Sequence, residues 1–212
     1  MVTSTSRLLD TNLVSFANNV HPDLQADIMD CLSYAQMSAD ALYGRSVSWY
    51  GWLNHYHRMI REIGIPSNGT FYPLEIKIRS AGQLRNMRLR TSGAASSPSL
   101  QGVLRESLDK MTSSEEVRRA FGPWFSSGSS ESFQVVPCEY DGGGSATFLV
   151  SGFHMMTMTP VHGPFSWRRL PGEMFVRAEG RSFSFNSEAY APNRQRIQDH
   201  LAEQGRIEVV NL

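Results

Sequence analysis

Cys31, His154, His162 and Asn186 occur along the chain in the order in which papain-like and NlpC-type thiol hydrolases carry their catalytic groups. Such enzymes need the thiolate, and obtain it by placing the cysteine at a helix N-terminus near an imidazole base. The local pair Asp30-Cys31 suits that pattern. The helix holding it, however, is expected to start at Pro22, because proline is favoured at the first helical position. Cys31 then falls in mid-helix on the apolar stripe Leu24, Ile28, Cys31, Leu32, Ala35, where cysteine behaves as a small hydrophobe. A structural Cys31 is the preferred reading, and a hydrolase using Cys31 with His154 or His162 is the alternative.

The other reactive side chains converge less. Cys138 stands at a strand end beside Pro137 with no base placed near it by the sequence. His55 and His57 are two residues apart on a helix and so point to different faces, which prevents a shared metal. His154 and His162 flank a turn without an HxxxH or carboxylate frame. Gly142–Gly144 leads into a strand, so it cannot set phosphate on a helix N-terminus. The expectation is therefore a chain with no cofactor and no metal.

Two stretches suit binding. Met155, Met156 and Met158, followed by Phe165 and Trp167, form an apolar run of adaptable side chains, the kind of surface that repacks onto partners. Lys77, Arg79, Arg85, Arg88 and Arg90 form an anion patch. Residues 65–105 carry six basic side chains against Glu75, whereas residues 106–163 carry three against seven acids. The whole chain of 212 residues has a formal net charge of zero, so a global pull toward nucleic acid or anionic lipid is absent.

These residues need elements to position them. A short helix is expected within residues 1–20, on Leu8, Leu9, Leu13, Val14 and Phe16. The Pro22 helix runs to Gly44. A second helix carries Trp49, Trp52, Leu53, Tyr56, Ile60 and Ile63 on one face and closes at Gly64. Phe71, Leu74, Ile76 and Ile78 alternate as a strand over 70–79, residues 91–99 read as a flexible loop, and residues 100–111 as a helix. Ser113 and Glu116 form a capping box for a further helix to Phe121, and residues 126–132 read as a linker. Strands are expected at 133–140, 146–159, 165–169 and 174–185, the last with a bulge or tight turn at Glu179-Gly180. Asp141–Gly144 makes a hairpin turn, Pro192 opens a last helix, and 207–210 form a final strand. The fold class is α+β: an N-terminal helical hairpin on a largely antiparallel β-meander, with a C-terminal helix and short last strand. The division is a helical lobe over about 1–125 and a sheet lobe over about 132–212 of one domain.

The segment CLSYAQMSADALYGRSVSWYGWLNHYHRMIREIG resembles the front of a family of small uncharacterised bacterial and fungal proteins. Their front carries an "LxAQLA"-like helix and a "WYxxYxxVLxxIG" helix, followed by short helices, a β-meander and an ending similar to FSFNSEAY, helix, strand. Ile65-Pro66 departs from the family's aromatic residue after the glycine. The resemblance implies the α+β arrangement and transfers no activity or site.

No run is long and apolar enough for an integral membrane segment, since Ser151, Gly152, His154 and Thr157 interrupt the longest. The functional expectation is a non-enzymatic, soluble binding or interaction protein, in the manner of an effector, toxin component or toxin accessory. Its partner is a protein or a membrane-associated one, homo-oligomerisation stays open, and no specific nucleic acid is expected. The compartment is cytoplasmic by default, and signal-less secretion is compatible with the sequence.

Overall fold

The apolar run at the front of the chain forms a β-hairpin, not a helix: β1 (Ser4–Leu9) and β2 (Asn12–Ala17) pair around a turn in which Asp10 adopts φ 47°. Both faces of β2 are buried, so its apolar residues follow a two-sided burial that periodicity alone cannot tell from a helix. The computed structural model describes residues 4–79, 81–115, 131–157 and 174–212.

Helix α1 (Pro22–Leu42) starts where proline at its first position predicts, and the Asp23 N–H reaches the His21 ring at 3.4 Å. Helix α2 (Trp49–Glu62) follows a short loop. It runs back along α1, with Ser38 bonded to His55 at 3.0 Å and Asp40 to Trp52 at 2.8 Å. Next comes β3 (Ser67–Ile78), a 3-10 turn (Ala81–Asn86) and β4 (Thr91–Gly93). The expected loop over 91–99 is thus ordered: β4 pairs with β3, and Ser97 caps α3 (Pro98–Ser113). Beyond Glu115, the expected helix to Phe121, most of the linker and the strand over 165–169 lie outside the described residues; Glu131 and Ser132 already belong to a strand.

Strands β5 (Glu131–Gly142), β6 (Ser145–Thr157) and β7 (Met174–Asn186) form the meander. Helix α4 (Ser187–Gln204) starts five residues before Pro192, because the Asn186 side chain accepts the Glu188 and Ala189 N–H groups, both at 3.0 Å. Strand β8 (Val209–Asn211) ends the sheet. The eight strands run in the order β4-β3-β7-β6-β5-β2-β1-β8. Among the described residues only the β2–β5 pair is parallel. The sheet draws β1–β4 from the front of the chain, so the helical and sheet lobes interleave in one layer structure. The bulges lie on β3, one at Asn68 and one at Tyr72-Pro73, the latter between the pairs Phe71–Gly180 and Leu74–Ala178, and β7 stays in register with β6. Pro73 cannot donate to a ladder, and a bulge accommodates it.

Two cores flank the sheet. On one face α1, α2 and α4 bury Phe16, Trp52, Tyr56, Phe148 and Phe183. On the other, α3 covers Leu13, Phe71, Phe133, Leu149 and Phe153. β6 is covered on both faces, as its continuous apolar run requires.

Candidate functional site

A cleft of about 590 Å³ opens between the last turns of α1, the β1–β2 turn and the C-terminal strand. α1 contributes Gln36, Met37, Asp40 and Ala41; the turn side contributes Leu8 and Asp10; the C-terminal segment contributes Ile207, Glu208 and Val210. The walls are therefore aliphatic, with three carboxylates and one amide among them.

The carboxylates of Asp10 and Asp40 are fixed by a network behind the cleft. Arg45, from the α1–α2 loop, donates to both Asp40 oxygens at 2.8 and 2.6 Å and lies 3.2 Å from Asp10. Its guanidinium rests 4.7 Å from the Trp52 ring centre, and the Trp52 indole N–H donates to Asp40 at 2.8 Å. Planarity and a fork of donors let arginine serve carboxylates and ring at once. Gln36 donates to Asp10 at 2.7 Å and accepts from Asn12, which in turn accepts from the Tyr56 hydroxyl at 3.3 Å. Arg45 also donates to Thr11, which donates to Gln134 at 3.1 Å. Three acids against one arginine leave the cleft walls negative.

Beyond Gln134 the polar seam continues under the start of α2. Ser132 faces His154 and Gln134 faces Gly152 across β5–β6. Trp49 stacks on His154, ring centres 5.4 Å apart. A Cβ on Gly152 would stand 2.7 Å from Leu53 and 3.3 Å from Trp49, so only glycine lets α2 approach this closely. Trp49 Nε1, His154 Nδ1, Ser132 Oγ and Gln134 Nε2 are all buried without a hydrogen-bond partner among the described residues.

Cys31 and His154 do not meet. Cys31 is fully buried in mid-helix, and burial, then Asp30 and Asp27, push its thiol far above the range in which a thiolate forms. Burial and then the neighbouring Cys31 also raise the Tyr56 hydroxyl. His154 stacks instead on Trp49, seven residues before Tyr56 on α2, about 10 Å by helical rise. Burial and Arg177 hold its ring below the ordinary imidazole range. Cys138 is buried as well, its thiol raised by desolvation, with Sγ donating to the Val136 carbonyl at 3.6 Å. His57 is buried against Phe183 and pushed from 6.5 down to about 3, by burial first and by Arg181 next.

Met155 points into the α3-side core, so it offers no surface, whereas Met156 is half-buried on the opposite face. Met158, His162, Phe165 and Trp167 lie outside the described residues, as does the side chain of Arg85. Lys77, Arg79, Arg88 and Arg90 are exposed around the end of β3 and the stretch before β4. Among the described residues no group of His, Cys, Asp and Glu side chains could hold a metal, and no helix is long and apolar enough to cross a membrane.

Asp10, Asp40, Arg45 and Glu208 are absent from the candidates read in the sequence. Asp10-Thr11-Asn12 between two apolar pairs is the pattern of a hairpin turn, and Asp40 and Arg45 straddle the end of α1; both signals were present. Glu208 carries none, because it reaches the cleft only when β8 pairs with β1.

No protein-family model and no curated protein matches the chain. Among solved structures it is similar to one described as the Evf virulence factor, with 9% identity, 92% of this chain and 82% of that chain covered, and a TM-score of 0.45. It is also similar to a delta-endotoxin, with 11% identity, 84% and 82% covered, and a TM-score of 0.38.

Proposed function

We infer that the chain is a non-enzymatic interaction protein whose cleft takes a basic, apolar-flanked segment of a protein partner. One observation carries the reading: carboxylates held in place by Arg45, Gln36 and Trp52 look into an aliphatic cleft. A lysine or arginine side chain has an apolar stem and a charged head; Leu8, Met37, Ile207 and Val210 suit the stem, and Asp10 and Glu208 suit the head. Among the described residues, those lining the cleft include no cysteine, serine or histidine that could act as a nucleophile or its imidazole base. On this reading the chain acts by occupying its partner, and it serves as an effector, toxin component or toxin accessory.

The test is a titration with a Leu-Arg-Leu amide, followed by tryptophan fluorescence, because Trp52 donates to Asp40. Binding should saturate, and Leu-Gln-Leu should not bind. Asp10→Asn, which keeps a residue tolerant of positive φ, combined with Glu208→Gln should weaken binding about tenfold, or about 1.4 kcal/mol. Equal binding of the glutamine peptide, or an unaffected variant, sinks the reading. In the same protein iodoacetamide should leave Cys31 unmodified until denaturant is added. Rapid selective alkylation under native conditions would restore the hydrolase alternative.

A further inference from the structure

Among the described residues, the helices cover only part of the sheet on the α1–α2 side. The registers of β6, β7 and β3 set out rows across this face: Val150–Arg181–Thr70, His154–Arg177–Glu75 and Met156–Phe175–Lys77. α2 sits over the β6 column at Gly152 and His154. The β7 column from Phe175 to Arg181 is exposed or half-exposed at each alternate residue, while the residues between are buried toward α3. Phe175 is 37% exposed, and Tyr72, on the bulge of β3, is 45% exposed.

An antiparallel sheet can face water with ordinary polar residues. This face departs from that in composition and in charge. Tyr, Phe, Met and Arg are the types enriched in protein interfaces, and here Phe175 and Tyr72 are exposed beside half-buried Met156. Each exposed ring carries a cation, Lys77 at 4.9 Å from Phe175 and Arg90 at 5.9 Å from Tyr72. With Arg79, Arg177 and Arg181 the face holds five cations against Glu75 and Glu179, on a chain that is neutral as a whole.

We propose that this open face of β7 and β3 docks an acidic peptide segment bearing an aromatic or aliphatic anchor, supplied by a protein partner. Its size selects a peptide: alternate residues from 175 to 181 span about 20 Å, and three strands about 10–15 Å, well short of a standard interface between globular proteins. Arginine's planar fork selects carboxylates, and the row Met156–Phe175 receives the anchor. The face is separate from the cleft, and the proposal stands without the cleft's reading.

The experiment uses the full chain and a fluorescein-labelled Glu-Phe-Glu-Leu-Glu peptide, read by anisotropy. Binding should saturate and weaken as sodium chloride is added. Arg177→Gln and Phe175→Ser should each lower affinity roughly fivefold, with circular dichroism and unfolding midpoint unchanged. Lys77→Gln is the second variant should Phe175→Ser disturb the fold. Asp10→Asn with Glu208→Gln should bind this peptide as wild type does, which separates failure here from failure at the cleft. Absence of binding, or equal binding by all these variants, overturns the proposal. So does tighter binding of heparin, an oligonucleotide or phosphatidylserine vesicles through the same residues.

Discussion

The titrating residues of the interior are its acid-sensitive points. His57 is neutral in the folded chain, its pKa lowered from 6.5 to about 3 by burial and then by Arg181. A lowered histidine contributes stability above the unfolded pKa, and that stability is lost as pH falls toward the folded one, because the unfolded chain binds the proton first. Between pH 7 and 4.5 the loss should be about 2–3 kcal/mol, at about 1.4 kcal/mol per unit. His154 adds to it in the same direction. Urea unfolding at the two pH values measures it, and His57→Gln should remove most of the difference; an unchanged difference would place the acid sensitivity elsewhere. Cys31 belongs to the same scale. Its identity suggested chemistry, but its position on the α1 stripe already predicted the burial that the structure has.

Between elements, the contacts that decide the arrangement are few and specific. Arg194 of α4 donates twice to Asp27 of α1, both bonds at 2.7 Å, and Asn193 donates to the Ile63 carbonyl at 3.0 Å. Asp27 is nearly buried, whereas Arg194 is partly exposed. Removing the arginine leaves a carboxylate in the interior without its partner. Arg194→Ala should therefore cost about 2 kcal/mol, and adding Asp27→Asn should recover part of it. Thermal unfolding of the single and double variants tests this; an additive loss would mean the pair does not hold α4. These pairings are 167 and 130 residues apart in the chain, and nothing local announces them. The helices α1 and α2, by contrast, were legible from proline, glycine and the apolar stripe. The front hairpin was not, since Leu8, Leu9, Leu13 and Val14 fit either period until β2 finds β5.

For the molecule as a whole, the cleft depends on the edge of the sheet. β8 contributes three residues to β1, with Val209 and Val210 exposed, and the adjoining segment supplies one wall of the cleft. Deleting residues 209–212 should change stability by only about 1 kcal/mol, because little apolar surface is buried there, yet abolish binding of the Leu-Arg-Leu probe. Retained binding would show that the α1 side alone makes the site. The amino-acid sequence by itself determined the α+β class, the two leading helices, the meander with its glycine turn and the core role of Cys31. Each of these follows from local periodicity and the conformational limits of proline and glycine. Only the tertiary structure decided that β1 and β2 join the sheet, that Asp10, Asp40 and Glu208 share one cleft, and that Met155 is interior while Phe175 and Tyr72 look outward. Those outcomes rest on pairings between distant segments, whose energy exists only once the whole sheet has closed.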